Sequence, residues 1–402
     1  MEEGGREGRD LPLITAAMRS GVLGFLRRTV LLPVACALGC SAPGTADAGR
    51  AWFAGDSAGA RALLDARLAE DPDGRALYLN ELGVLDLERR DLAAAEQRFG
   101  EAWRLMESLA GDDLDAVGAI VGSEASKQWR GDPFERAMNS WYLGLVYWWR
   151  GVHDNALACF KNAIFVDSSH GEERFDCDFA PALFLEGLAY RRLGEVGMAE
   201  RSFAVARELA PGCPALAAGN DGNVIVIVEV GRGPTKVAAG KHGELTRFVA
   251  HPEVPPAIEL LADGQRFGSP SRAGDVHFQA STRGGRDFDS ILATKSGIKT
   301  GTEVAGIGAL LLADDVKDKH QGAMVVAGAA LLLASFAVRA EADTRHWTTL
   351  PHEVQLFRGT LPPGKHRFEV RPGAGWRVAG PGFEEIEVPA TGEVLVYQRV
   401  LR

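Results

Sequence analysis

One rhythm recurs three times in this chain and constrains it more than any other feature. A glycine is followed after twelve residues by alanine, then after four by phenylalanine and after three by alanine. The copies are Gly83, Ala95, Phe99, Ala102; Gly144, Ala156, Phe160, Ala163; and Gly187, Ala199, Phe203, Ala206, with Tyr147 and Tyr190 sharing a fifth position. Intervals of four and three put the alanine, phenylalanine and alanine on one face of a helix. The glycine then belongs to a preceding helix. Small residues let two antiparallel helices approach closely, and the phenylalanine fills the space left between them. Residues 50 to 218 around these copies are rich in alanine, leucine, glutamate and arginine, a helix-forming composition.

This spacing resembles the tetratricopeptide repeat, a helix pair that stacks on its neighbours and whose stacks commonly grip other polypeptides. Pro211 closes the third unit, and Pro72 in "AEDPD" closes an earlier half-unit. The units are not in strict tandem, because segments near 108–135 and 168–180 are inserted between them. Tyr142, Trp148 and Trp149 admit two readings. They belong either to the core between repeats or to a concave face that holds a partner peptide or helix.

After Pro211 the texture changes. "VIVIVEV", Val224 to Val230, is an unbroken β-branched run that predicts a buried strand. "VHFQAS", "HEVQLFRG", "GKHRFEV", "FEEIEV" and "EVLVYQRV" predict further strands, with a turn at "PPGK". The predicted fold class is α+β: helical repeats, then a β-rich domain of sandwich type over residues 219–402. Within it, residues 302–338 form two apolar stretches around the charged turn "DDVKDK". They predict an apolar helical hairpin. Its second stretch, at about 1.5 Å rise per residue, is only marginally long enough for a bilayer. Burial in protein is the preferred reading, with membrane contact as the alternative.

The N-terminus reads as an export signal. Arg27 and Arg28 precede the apolar run Thr29 to Gly39, and Cys40 follows in "ALGC". This ending resembles the bacterial lipobox, which implies lipidation of Cys40. Residues 1–40 are then the signal, 41–49 a flexible tether, and 50–218 the repeat domain. Met18 is an alternative start to Met1. Three cysteines remain after the signal: Cys177 and Cys213 could bridge, while Cys159 falls on a helix.

The stretch "EADTRHWTTLPHEVQLFRGTLPPGKHRFEV", with "RGDPFERAMNSWYLGLVYWWRG", "LNELGVLDL" and "VIVIVEVGRGPTK", resembles a family of bacterial envelope lipoproteins with tetratricopeptide-like helices and a β-rich C-terminal domain. The resemblance is strongest at Asp343, Thr344, Arg345, Trp347, Leu350 and Pro351. It implies a non-enzymatic protein of the cell envelope, anchored by lipid and facing the periplasm. Asp343 and Arg345 are expected to form a bidentate ion pair with a structural role. A ligand-binding role for Arg345 and Trp347 is the sharper alternative.

Chemistry has little support in the sequence. "GDSAG", Gly55 to Gly59, matches a nucleophile elbow but leads into the helix "ARALLDARLA", so Asp56 or Ser57 serves as a helix cap. The nine histidines show no metal-ligand spacing, and no cofactor motif is complete. With a net charge of −10 and no basic stripe, nucleic acid is not an expected partner. The sequence thus predicts an extracytoplasmic adaptor that binds an envelope protein. A membrane-integral component using residues 302–338, or an envelope enzyme, are the rivals.

Overall fold

The computed structural model describes residues 45–110, 128–168, 178–239, 245–282, 343–380 and 383–402. Cys40, Cys177 and the 302–338 stretch lie outside these residues. The described residues fall in one compact unit that begins at Thr45.

Among the described residues, eight α-helices come first: α1 (Thr45–Phe53), α2 (Ser57–Glu70), α3 (Arg75–Glu88), α4 (Leu92–Ala110), α5 (Pro133–Trp149), α6 (His153–Ser168), α7 (Ala180–Arg192) and α8 (Val196–Leu209). The last six form three packed pairs, α3–α4, α5–α6 and α7–α8. The glycine rhythm is what closes each pair. A Cβ placed on Gly83 would lie 2.6 Å from the ring of Phe99; on Gly144 or Gly187 it would lie 2.5 Å from the ring of Phe160 or Phe203. All six repeat alanines are buried at 1% exposure or less. Tyr190 is buried and Tyr147 partly so.

Residues 45–49 correct the expectation of a tether, because they form the first turn of α1. Propensity alone does not favour a helix in "TADAG", but packing does: Ala48, Gly49, Trp52 and Phe53 are buried. A Cβ on Gly49 would meet Thr348 Oγ1 at 2.8 Å, so the glycine permits this docking. The next helix starts as the cap reading predicts, with Asp56 Oδ1 accepting from Gly59 N at 2.7 Å.

The β half contains β1 (Val224–Val230), β2 (Thr235–Ala239), β3 (Leu245–Val249), β4 (Ile258–Ala262), β5 (Gln265–Gly268), β6 (Ser271–Asp275), β7 (Glu353–Gly359), β8 (Gly364–Pro372), β9 (Arg377–Val378), β10 (Phe383–Val388) and β11 (Val394–Leu401). One sheet runs β6-β7-β1-β11-β9, a second β10-β8-β4-β5, and β2–β3 is a separate ribbon. The two larger sheets pack face to face over Val224, Val226, Val228 and Val230 from β1, Leu260 from β4, Phe368 and Val370 from β8, and Val396 and Val400 from β11. The alternate residues Ile225 and Ile227, with Leu395 and Tyr397, join the helical core instead. The five-stranded sheet is therefore a middle layer, buried on both faces. That explains why β1 reads as a continuous apolar run rather than an alternating one.

"VHFQAS" is a second correction. Val276–Thr282 is a short helix, α9, started by Asp275 Oδ1 accepting from Phe278 N at 2.9 Å. The alternation of Val276, Phe278 and Ala280 imitates a strand, and a local cap decides against it. Among the described residues, no helix is long and apolar enough to cross a membrane.

Candidate functional site

The first helix of each pair faces the five-stranded sheet, and the contact between them is polar as well as apolar. Glu229 is the one charge in β1, and the strand's alternation turns it toward the helices. Its carboxylate is fully buried and accepts from four donors: Trp141 Nε1 (3.2 Å), Tyr142 OH (2.8 Å), Tyr397 OH (2.8 Å) and Arg399 Nη1 (2.6 Å). Glu229 and Arg399 stand opposite each other in the parallel β1–β11 register. Burial, and then the charge of Glu229, push both tyrosine hydroxyls well above their ordinary pKa. Burial opposes the charge on Arg399, but Glu229 outweighs it and raises the guanidinium's pKa.

Arg399 also reaches into a second feature. Its Nη2 donates to Thr349 O at 2.7 Å. Thr349 belongs to a segment outside helix and strand, residues 343–351, that turns at Thr348–Thr349 and lies against the repeat helices. Two buried carboxylates hold that segment by its backbone. Glu135 Oε1, on α5, accepts from Trp347 N at 2.7 Å. Glu81, on α3, accepts from Thr348 N (2.6 Å), Thr348 Oγ1 (2.7 Å) and Thr349 N (3.1 Å). Between them Trp347 packs near Phe99 and Tyr142, with ring centroids at 6.1 and 5.5 Å. Its Nε1 donates to Thr349 Oγ1 at 2.9 Å. The repeat helices thus hold a segment of their own chain by its backbone N–H groups.

Both carboxylates are strongly perturbed. Burial lifts Glu81 to about 7. Burial, helped by the neighbouring Asp132, lifts Glu135 to about 8. Glu135 is also the third residue of α5, and its Oε2 accepts from Asp132 N at 2.8 Å to cap the helix. Asp132 in turn pairs with Lys236 of β2 at 2.6 Å, which ties the β2–β3 ribbon to the same helix start.

The residues singled out in the sequence are placed as follows. Arg345 donates to Asp343 through Nε (2.9 Å to Oδ1) and Nη2 (2.7 Å to Oδ2), a bidentate pair at the start of the segment. Trp347 is 1% exposed, and Pro351 is buried. Tyr142, Trp148 and Trp149 do not form an open partner face. Tyr142 is fully buried on Glu229, Trp149 Nε1 donates to Leu395 O at 2.9 Å, and Trp148 is 6% exposed beside His153. The physical reason is that the sheet fills the side of the stack that Tyr142 and Trp149 face, while Trp148 is covered by His153 and Arg192. Cys213 is a buried free thiol, and Cys159 is a half-buried one whose pKa burial pushes up to about 12.

Glu81, Glu135, Glu229 and Arg399 were not singled out by motif. The signal for Glu229 is a lone acid in a run of valine and isoleucine, where a charge is retained only with partners. "LNELGVL" carries the same signal for Glu81. Chemically, every oxygen of the three carboxylates accepts at least one donor from the chain, and each carboxylate serves as a clamp. Among the described residues, no group of histidine, cysteine, aspartate and glutamate is arranged to hold a metal ion.

No protein-family model matches the chain, and no curated protein matches it. Solved structures show similarity to part of it. A crystal structure of MamA is 18% identical, covers 41% of this chain and 75% of its own, and has a TM-score of 0.29. A tetratricopeptide repeat protein from Parabacteroides merdae is 16% identical, covers 42% of this chain and 54% of its own, and has a TM-score of 0.31. A second MamA structure is 22% identical, covers 42% of this chain and 90% of its own, and has a TM-score of 0.22. The repeat architecture of this chain rests on its own glycine–phenylalanine contacts.

Proposed function

We propose that this protein is a non-enzymatic scaffold of the bacterial cell envelope, anchored by a lipid on Cys40, and that it meets a protein partner through the outer helices of its repeats. The observation that carries the choice of surface is the filled inner side. Residues 347–349 are already held there by Glu81 and Glu135, and β1 and β11 close the rest through Glu229 and Arg399. A partner peptide has no place to enter without displacing the chain's own core. The second helices of the pairs keep large apolar side chains in water. Trp103 on α4 and Met198, Val205 and Leu209 on α8 are each 37–38% exposed.

The test has two arms. Replacement of Cys40 by serine should abolish palmitate labelling and move the protein to the soluble fraction; unchanged labelling would overturn the anchor. A photo-crosslinking residue at Trp103, Met198 or Val205 should form an adduct with a second envelope polypeptide in intact cells. No such adduct from any of these positions, or adducts only from position 142, would overturn the outer-face reading.

A further inference from the structure

A cleft of about 240 Å³ opens where the last repeat meets the sheet. Three arginines from three elements line it: Arg191 at the end of α7, Arg207 in the last turn of α8 and Arg358 on β7. Two of them lie over aromatic rings. The Arg358 guanidinium lies 5.9 Å from the ring centre of Phe184, and that of Arg191 lies 5.3 Å from Phe203. A guanidinium attracted to a ring face keeps its N–H groups available to recognise a planar anion. Arg358 Nε is occupied, donating to Gly222 O at 2.9 Å. Its two terminal nitrogens make no hydrogen bond among the described residues, and Arg207 makes no ion pair there. Burial, and then the nearby charge of Arg191, lower the pKa of Arg358 against the opposing pull of Asp221 and Glu393.

The acids decide which anion fits. Glu393 is taken up by Arg191 and Arg192. Glu200 and Asp221 line the cleft, Asp221 at 3.9 Å from Arg191, so Arg191, Arg192, Arg207 and Arg358 less Glu200, Asp221 and Glu393 leave a net charge of +1. That balance suits a single negative charge and opposes a phosphate dianion. Phe184 and Leu216 add an apolar floor for whatever bears the charge.

We propose that this cleft binds a carboxylate, with the free edge of Arg358 and the neighbouring Arg207 taking its oxygens and the apolar floor taking the attached carbon chain. The carboxylate is that of a small organic acid or of a peptide C-terminus, and the test separates the two. The site is independent of the outer-face reading, so either can fail alone.

Calorimetric titration of the detergent-released full chain uses four probes: N-acetyl-dialanine, the same peptide as its C-terminal amide, propionate, and inorganic phosphate. The free-acid peptide should bind and the amide should not. A peptide about tenfold tighter than propionate would assign a peptide C-terminus, and equal binding would assign a small acid. Arg358→Gln should weaken the preferred acid by about tenfold or more, the loss expected for a charge-assisted bidentate contact. Arg207→Gln, on the helix surface, should weaken it too, and serves if Arg358→Gln does not fold. Glu200→Gln should tighten it. The proposal is overturned if neither acid binds at millimolar concentration, if the amide binds as well as the acid, if phosphate binds more tightly than both acids, or if neither arginine variant changes affinity.

Discussion

Arg399 and Glu229 form an ion pair at 2.6 Å with side chains 1% and 0% exposed, opposite each other on adjacent parallel strands. Neither group reaches water, so each depends on the other and on the polar groups around them. Removing one partner strands a buried charge, whereas removing both leaves an apolar gap. Glu229→Gln should therefore destabilise the fold by about 3–5 kcal/mol, read as a shift in the urea midpoint at constant slope. Glu229→Leu with Arg399→Met should cost clearly less than the sum of the single changes. Additive costs would mean that the pair is not the unit that matters.

The repeat rhythm gives a prediction of a different kind. Gly144→Ala would put a methyl group 2.5 Å from the ring of Phe160, between two helices that have no room to part. Overpacking of this sort costs about 1–3 kcal/mol. Phe160→Ala should cost about 3–5 kcal/mol, since the ring is fully buried. Gly144→Ala made together with Phe160→Leu should recover part of the loss. Thermal melts of the three variants check this. A neutral Gly144→Ala would show that the close approach is not needed.

These two cases show what the sequence makes legible. The glycine–phenylalanine contact repeats at fixed spacing within about twenty residues, so it can be read by counting. Strand β1 is legible for the same reason, because its composition reports burial on both faces. The clamps on Glu81 are not legible: their donors lie 267 and 268 residues away, and nothing in "LNELGVL" names them. Tyr142 and Trp149 illustrate the converse. Aromatic residues on the inner helices suit a partner surface and an internal interface equally well, and only the position of β1 and β11 decides between them. Cys40 and the 302–338 stretch stay where the sequence leaves them, as an expected anchor and an expected hairpin.

Glu81 and Glu135 make stability depend on pH. Burial raises both above the ordinary 4.5, to about 7 and about 8. Between 4.5 and those values the folded protein keeps protons that the unfolded chain has released. Stability from this source is therefore full below about pH 4.5 and is lost as pH rises through 7 and 8. For Glu81 the shift corresponds to about 3 kcal/mol. Glu81→Gln cannot titrate, so the stability difference between wild type and variant should change with pH between 5 and 8, the variant gaining relative to wild type. A constant difference across that range would show that Glu81 does not titrate there.

Trp347 is the anchor of the inner segment. Its ring lies between Phe99 and Tyr142, and its backbone N–H is held by Glu135. Trp347→Ala removes the ring and leaves a cavity among aromatic side chains, at a cost of about 3–5 kcal/mol. The loss should also be local in its first consequence. Thr348 and Thr349 donate their N–H groups to Glu81, and those bonds are reached only when the segment lifts away from α3. Hydrogen exchange at these two amides should therefore speed up in the variant by more than exchange in β1, whose bonds open only with the whole sheet. Equal acceleration at both places would mean that the segment opens only when the sheet does, as one cooperative core rather than as a strap with its own stability.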